Sequence, residues 1–127
     1  LSVIKTKTAS FSLDKRGFLK ITFLDNTEDI DEAEVHEHIK AAEKISGNKK
    51  MAVLADVRLG IHNADSRAKE MIAAYKMKKA EAVIINSLPQ RIVVNFYLKI
   101  SNKINNKFPV KLFTNEKEAV RWLMQYV

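Results

Sequence analysis

The sequence predicts an α/β domain in which an N-terminal β-hairpin is followed by three strand–helix units. Short all-apolar runs at Met51–Ala55 and Ala82–Ile85 have the character of strands covered on both faces. Around them, apolar residues recur at helical spacing, in stretches punctuated by Gly47-Asn48, Pro89 and Pro109. At the start, two β-prone stretches flank Asp14-Lys15-Arg16-Gly17, a turn in which Gly17 supplies a positive φ.

The elements follow in order. Val3–Leu13 is extended, with apolar Val3, Ala9, Phe11 and Leu13 separated by Thr and Ser. Phe18–Leu24 alternates Leu19, Ile21 and Phe23 with Lys20 and Thr22, a half-buried strand. Asp31 and Glu34 have capping-box spacing, and the helix they open has the apolar stripe Ala33, Val35, Ile39, Ala42 and Ile45. After strand Met51–Ala55, a second helix starts at Asp65 or Ser66 and buries Ala68, Met71, Ile72 and Tyr75. Strand Ala82–Ile85 leads to a third helix with Pro89 as its first residue, expected to bury Ile92, Val93, Phe96, Ile100 and Ile104. Strand Val110–Phe113 precedes a last helix capped by Thr114 or Asn115, packing through Ala119, Trp122, Leu123 and Tyr126. The order is ββαβαβαβα, read as one domain over residues 1–127 with a mixed, mostly parallel sheet.

Composition narrows the function classes. The 127 residues are 46% hydrophobic and 29% charged, enough for one core and too apolar for disorder. The longest apolar run falls far short of the ~20 residues of a membrane-spanning helix. No basic region followed by an apolar run marks a signal peptide, and the absence of cysteine fits a reducing, cytoplasmic compartment. Cysteine-based redox or metal chemistry is excluded. His36 and His38 stand about 200° apart on their helix and cannot share a metal. No phosphate loop, HExxH motif or Gly-x-Ser-x-Gly elbow occurs. Neither an enzyme nor a cofactor or metal is expected.

Charge is unevenly spread. The net charge of +7 permits nucleic-acid binding, but no recognition motif accompanies it, so nucleic acid is not the expected partner. From Ile21 to Ile39 there are seven acids and no Lys or Arg, whereas Ala82–Asn115 contains no acid. Lys99, Lys103 and Lys107 recur every four residues on the third helix, a basic face suited to a membrane surface or an acidic partner. A solvated lysine face on an ordinary core helix accounts for the same spacing. The opposed acidic and basic regions also suggest a homo-oligomer.

The tail Phe108-Pro-Val-Lys-Leu-Phe-Thr-Asn-Glu-Lys-Glu-Ala-Val-Arg-Trp-Leu123 and the segment Val53-Leu-Ala-Asp-Val-Arg58 resemble the small SpoIIAA-like bacterial proteins, also called STAS or STAS/SEC14-like. The resemblance covers nearly the whole chain. It implies a βα superhelix with an antiparallel N-terminal strand, and two kinds of function. Antagonists of anti-sigma factors bind a regulatory protein and are switched by phosphorylation of a serine. Other members are linked to apolar ligands or membrane surfaces, with helices that open and close. The switch motif aligns with Ala64-Asp65-Ser66-Arg67-Ala68, putting Ser66 at the phosphorylated position, although Ala64, Asp65 and Arg67 depart from the pattern. A plain helix cap at Asp65 or Ser66 explains the same residues.

Ligand sites in open α/β sheets lie beyond the carboxyl ends of the strands. Those ends supply Asp56, Arg58, Asn86 and Ser87, with Arg91 and Phe96 on the third helix. Asp56 and Arg58 offer a carboxylate and a guanidinium to a polar head-group, or pair with one another (or Asp56 with Arg91) to pin the loop. The expected function is a non-enzymatic binding module for an apolar or lipid-like ligand or the membrane surface. The alternative is a regulatory protein-interaction domain working through Ser66.

Overall fold

The computed structural model describes residues 2–105 and 108–127, without the side chains of residues 97 and 100–105. Its elements are β1 (Val3–Lys5), β2 (Ala9–Leu13), β3 (Leu19–Phe23), α1 (Glu32–Ser46), β4 (Met51–Asp56), α2 (Ser66–Ala74), β5 (Lys78–Ile84), α3 (Leu88–Asn105), β6 (Val110–Phe113) and α4 (Glu116–Leu123), closed by a 3-10 turn at Met124–Tyr126. All six strands form one sheet in chain order. β1, β2 and β3 pair antiparallel, and β3 to β6 run parallel. The expected class is therefore found, a mixed sheet with helices on both faces.

Local chemistry accounts for most boundaries. Gly17, at φ +103°, closes the β2–β3 turn by donating its N–H to the Asp14 carbonyl. Asp31, Asp65 and Asn115 cap α1, α2 and α4 by accepting from the N–H three residues on. Gly47 ends α1 in the left-handed region.

Four expectations need correction. Val3–Leu13 is two strands, because the Thr6 N–H donates to the Ala9 carbonyl and folds the chain back. β5 begins at Lys78, ahead of its apolar run, since Glu81 still pairs in register with Val53 and Val110. The third correction concerns α3. Ile92 and Phe96 are 61% and 52% exposed and Val93 also faces out, while Val94 and Gln90 are buried. Residues two apart on a helix lie about 200° apart, so Ile92, Val93 and Phe96 of the expected stripe face outward, while the side chains of Ile100 and Ile104 lie outside the described residues. On α1, likewise, Ala33 is exposed and Ala41 is buried.

The sheet's two faces are packed differently. On one, α4 seals a core of Phe18, Leu54, Ile84, Ala119 and Leu123. On the other lie α1, α2 and α3, packed in several smaller clusters. The space left between those clusters is the site described next.

Candidate functional site

Side chains of a strand alternate between faces, and the sheet ends exploit that. In β4, Ala52 and Leu54 face α4, whereas Ala55 and then Val57 face α3. Asp56 therefore falls on the α4 side. It accepts from Arg58 at 3.0 Å (Nε) and 2.8 Å (Nη2), and Arg58 Nη2 also donates to Glu116 of α4 at 2.8 Å. Burial works to raise the Asp56 carboxyl, but the Arg58 hydrogen bonds hold it below its ordinary value. Arg58 in turn is raised, chiefly by its hydrogen bond to Asp56. The arrangement is a closed clasp between a strand end and a helix start.

The other strand-end residues also make hydrogen bonds within the fold. Asn86 Nδ2 donates to the Arg58 carbonyl at 3.2 Å. Ser87 Oγ accepts from the Gln90 N–H, and Gln90 Oε1 accepts from the Asn86 N–H at 2.8 Å, a reciprocal cap for α3. Buried Gln90 was missed in the sequence because it reads as one polar residue in a mixed helix. Arg91 is exposed, and it makes no ion pair with Asp56 among the described residues. Phe96 lies on the outer face of α3 under Lys69, whose Nζ is 5.0 Å from the ring centroid. Of the expected rim, Asp56, Arg58 and Asn86 are brought together, whereas Phe96 lies on the outer face of α3.

A cavity of about 200 Å³ lies on the opposite face of the sheet, under α1, α2 and α3. Phe11, Phe23, Val35, Met71, Val83 and Leu98 give it an apolar lining drawn from strands and all three helices. Lys78 and Glu81 of β5 also line it, paired with each other at 3.1 Å.

His38 lines the cavity beside Phe11 and Phe23, whose rings it meets edge-on at 5.3 and 6.0 Å. Its Nε2 is 2.7 Å from Thr8 Oγ1 and 3.1 Å from Glu34 Oε2. Glu34 is buried and also accepts from the Thr8 N–H and from the hydroxyls of Thr6 and Thr8. Burial tends to raise its carboxyl, and these hydrogen bonds hold it below its ordinary value instead. Burial lowers His38 against the pull of the Glu34 carboxylate. This group was missed, although His38 is only about 40° from Ala42 around the helix, a polar residue on an apolar stripe.

Ser66 is exposed as the first residue of α2, and Asp65 rather than Ser66 is the cap. Lys99 is exposed on α3. The side chain of Lys103 and the whole of Lys107 lie outside the described residues, so the basic face is described only at Lys99. No described helix is long and apolar enough to cross a membrane.

No curated protein matches this chain. Among solved structures it is similar to an uncharacterized protein of the DUF3478 family with a SpoIIAA-like fold, from Shewanella loihica PV-4. The two share 13% identity at a TM-score of 0.58, over 96% of this chain and 90% of the other. The fold is SpoIIAA-like, as the chain's own residues suggested. The model of a domain of unknown function, DUF7793, matches residues 11–127, and the chain belongs to that family.

Proposed function

We propose that this protein is a non-enzymatic binding domain that holds a small apolar ligand between its sheet and helices α1 to α3, with α3 as the cover. The cavity itself carries this reading, being apolar on nearly every side and about 200 Å³ in volume. An engineered apolar cavity of about 150 Å³ binds benzene, so a ligand of roughly eight non-hydrogen atoms fits here. A two-chain lipid is far larger and would enter only with α3 displaced. Among the described residues, Val94 and Leu98 pack α3 on the sheet side. Titration with toluene tests the reading, followed by the methyl NMR signals of Val83, Val94 and Leu98. Shifts that saturate, and that disappear in Ala55→Leu, support it; unmoved methyls at toluene saturation overturn it.

The outer face of α3 favours a second reading, attachment to an anionic membrane surface. Leu88, Ile92 and Phe96 are exposed at four-residue spacing, flanked by exposed Arg91 and Lys99. Salt-reversible sedimentation with anionic but not neutral vesicles would support this role, and sedimentation with neither would remove it. A regulatory role of the antagonist kind would run through exposed Ser66.

A further inference from the structure

The hydrogen bonds around His38 specify its tautomer. Thr8 Oγ1 has one proton and lies close to both Glu34 Oε2 and His38 Nε2. An ionised carboxylate only accepts, so the Thr8 proton goes to Glu34. The Thr8 oxygen is then left to accept, and the only atom able to donate across the 2.7 Å contact is His38 Nε2. The 3.1 Å approach of the same nitrogen to Glu34 Oε2 requires a proton there as well. In the neutral ring, Nε2–H leaves Nδ1 as a bare lone pair. Among the described residues Nδ1 has no hydrogen-bond partner, in a side chain that is 14% exposed and lines the cavity.

An acceptor on an apolar wall is costly to cover without a partner, and a ligand that covers it and donates to it avoids that cost. Of the other polar side chains of the lining, Lys78 and Glu81 face each other, and both His62 ring nitrogens lie on backbone carbonyls. This leaves the Tyr75 hydroxyl as the second group, beside His38 Nδ1, open to a ligand among the described residues. We infer that the cavity selects small apolar molecules carrying one O–H or N–H donor, of the size and kind of phenol, and holds the donor on His38 Nδ1. This rests on the proposed apolar-ligand function and names the ligand class for the same cavity.

Imidazole-¹⁵N NMR of the wild-type protein tests it, with the His38 signals read free, with toluene and with phenol. The expected result is a protonated Nε2 and an unprotonated Nδ1, with Nδ1 moved by phenol and not by toluene. In His38→Leu, phenol affinity should fall about tenfold relative to toluene affinity, the equivalent of one lost hydrogen bond. A proton on Nδ1 in the free protein would overturn the inference. So would phenol that leaves Nδ1 unmoved while toluene shifts the cavity methyls, and there the apolar-ligand reading would survive. A phenol preference kept in His38→Leu would put the donor on another residue and also overturn it. If neither probe moves the cavity methyls, both readings fall.

Discussion

Glu34 and Thr8, far apart in the chain, are joined by two hydrogen bonds to one carboxylate oxygen, from the Thr8 N–H at 3.0 Å and from its hydroxyl. Glu34 is the third residue of α1, the place from which a capping box reaches back to its own helix start. Here Asp31 does cap the helix, accepting from the Glu34 N–H at 2.8 Å. The Glu34 side chain goes instead to the β1–β2 turn, so one residue both receives a cap and fastens the N-terminal hairpin to α1.

Removing that fastening should be costly. Glu34→Ala removes the acceptor shared by the Thr6 hydroxyl, the Thr8 N–H and the Thr8 hydroxyl, leaving the Thr8 N–H only a longer 3.4 Å contact to Thr6 Oγ1, and should lose about 2–4 kcal/mol in chemical denaturation. Because the folded-state carboxyl is held below its ordinary 4.5, its stabilisation is present above that value and lost as pH falls through the lower, folded one. A denaturation series from pH 6 downward should show this loss beginning near 4.5 in the wild type, with a smaller slope in Glu34→Gln.

The Asp56–Arg58–Glu116 clasp holds structure together on the face away from the cavity. Arg58→Ala should destabilise by about 1–3 kcal/mol, since it strips a buried carboxylate of its partner. Toluene affinity should stay within twofold of wild type. A large loss of affinity with unchanged stability would instead return Asp56 and Arg58 to the role of a ligand rim.

On α3, the exposed and buried stripes should respond oppositely to truncation. Ile92→Ser and Phe96→Ser should each change stability by no more than about 0.5 kcal/mol, as exposed positions do. Val94→Ala should cost about 1–2 kcal/mol, from buried methyl groups lost beneath the helix. Thermal denaturation of the three variants separates the stripes, and the reverse ranking would mean that α3 packs by its other face.

Gly60 is placed against β3 more tightly than any side chain allows. A Cβ there would stand 2.2 Å from the Leu24 carbonyl oxygen. That same oxygen is 3.0 Å from His62 Nε2, whose Nδ1 is 2.6 Å from the Glu28 carbonyl oxygen. Gly60→Ala must therefore move backbone that His62 is holding, at a cost of about 3 kcal/mol, the upper end for overpacking. Gly47→Ala meets no atom and should cost about 1 kcal/mol, from its positive φ alone. Urea titration of both variants checks the order.

What the sequence determined by itself is local. The turn at Gly17, the caps at Asp31, Asp65 and Asn115, and the alternation of strands and helices each depend on a few neighbouring residues whose backbone preferences agree. The segments Val53–Arg58 and Phe108–Leu123 carried the resemblance to the SpoIIAA-like fold. Tertiary structure decided which face of α3 lies inside. The helix is apolar at Ile92, Val93, Val94, Phe96 and Leu98, so more than one stripe satisfies helical spacing. The choice of Gln90, Val94 and Leu98 was made by the hydrogen bond Gln90 accepts from the Asn86 N–H and by the sheet beneath. The His38 site is non-local for the same reason. Its partners Thr8 and Glu34 come from a turn and a helix that only the folded sheet brings within hydrogen-bond reach, and the cavity is the space that several packed elements leave unfilled.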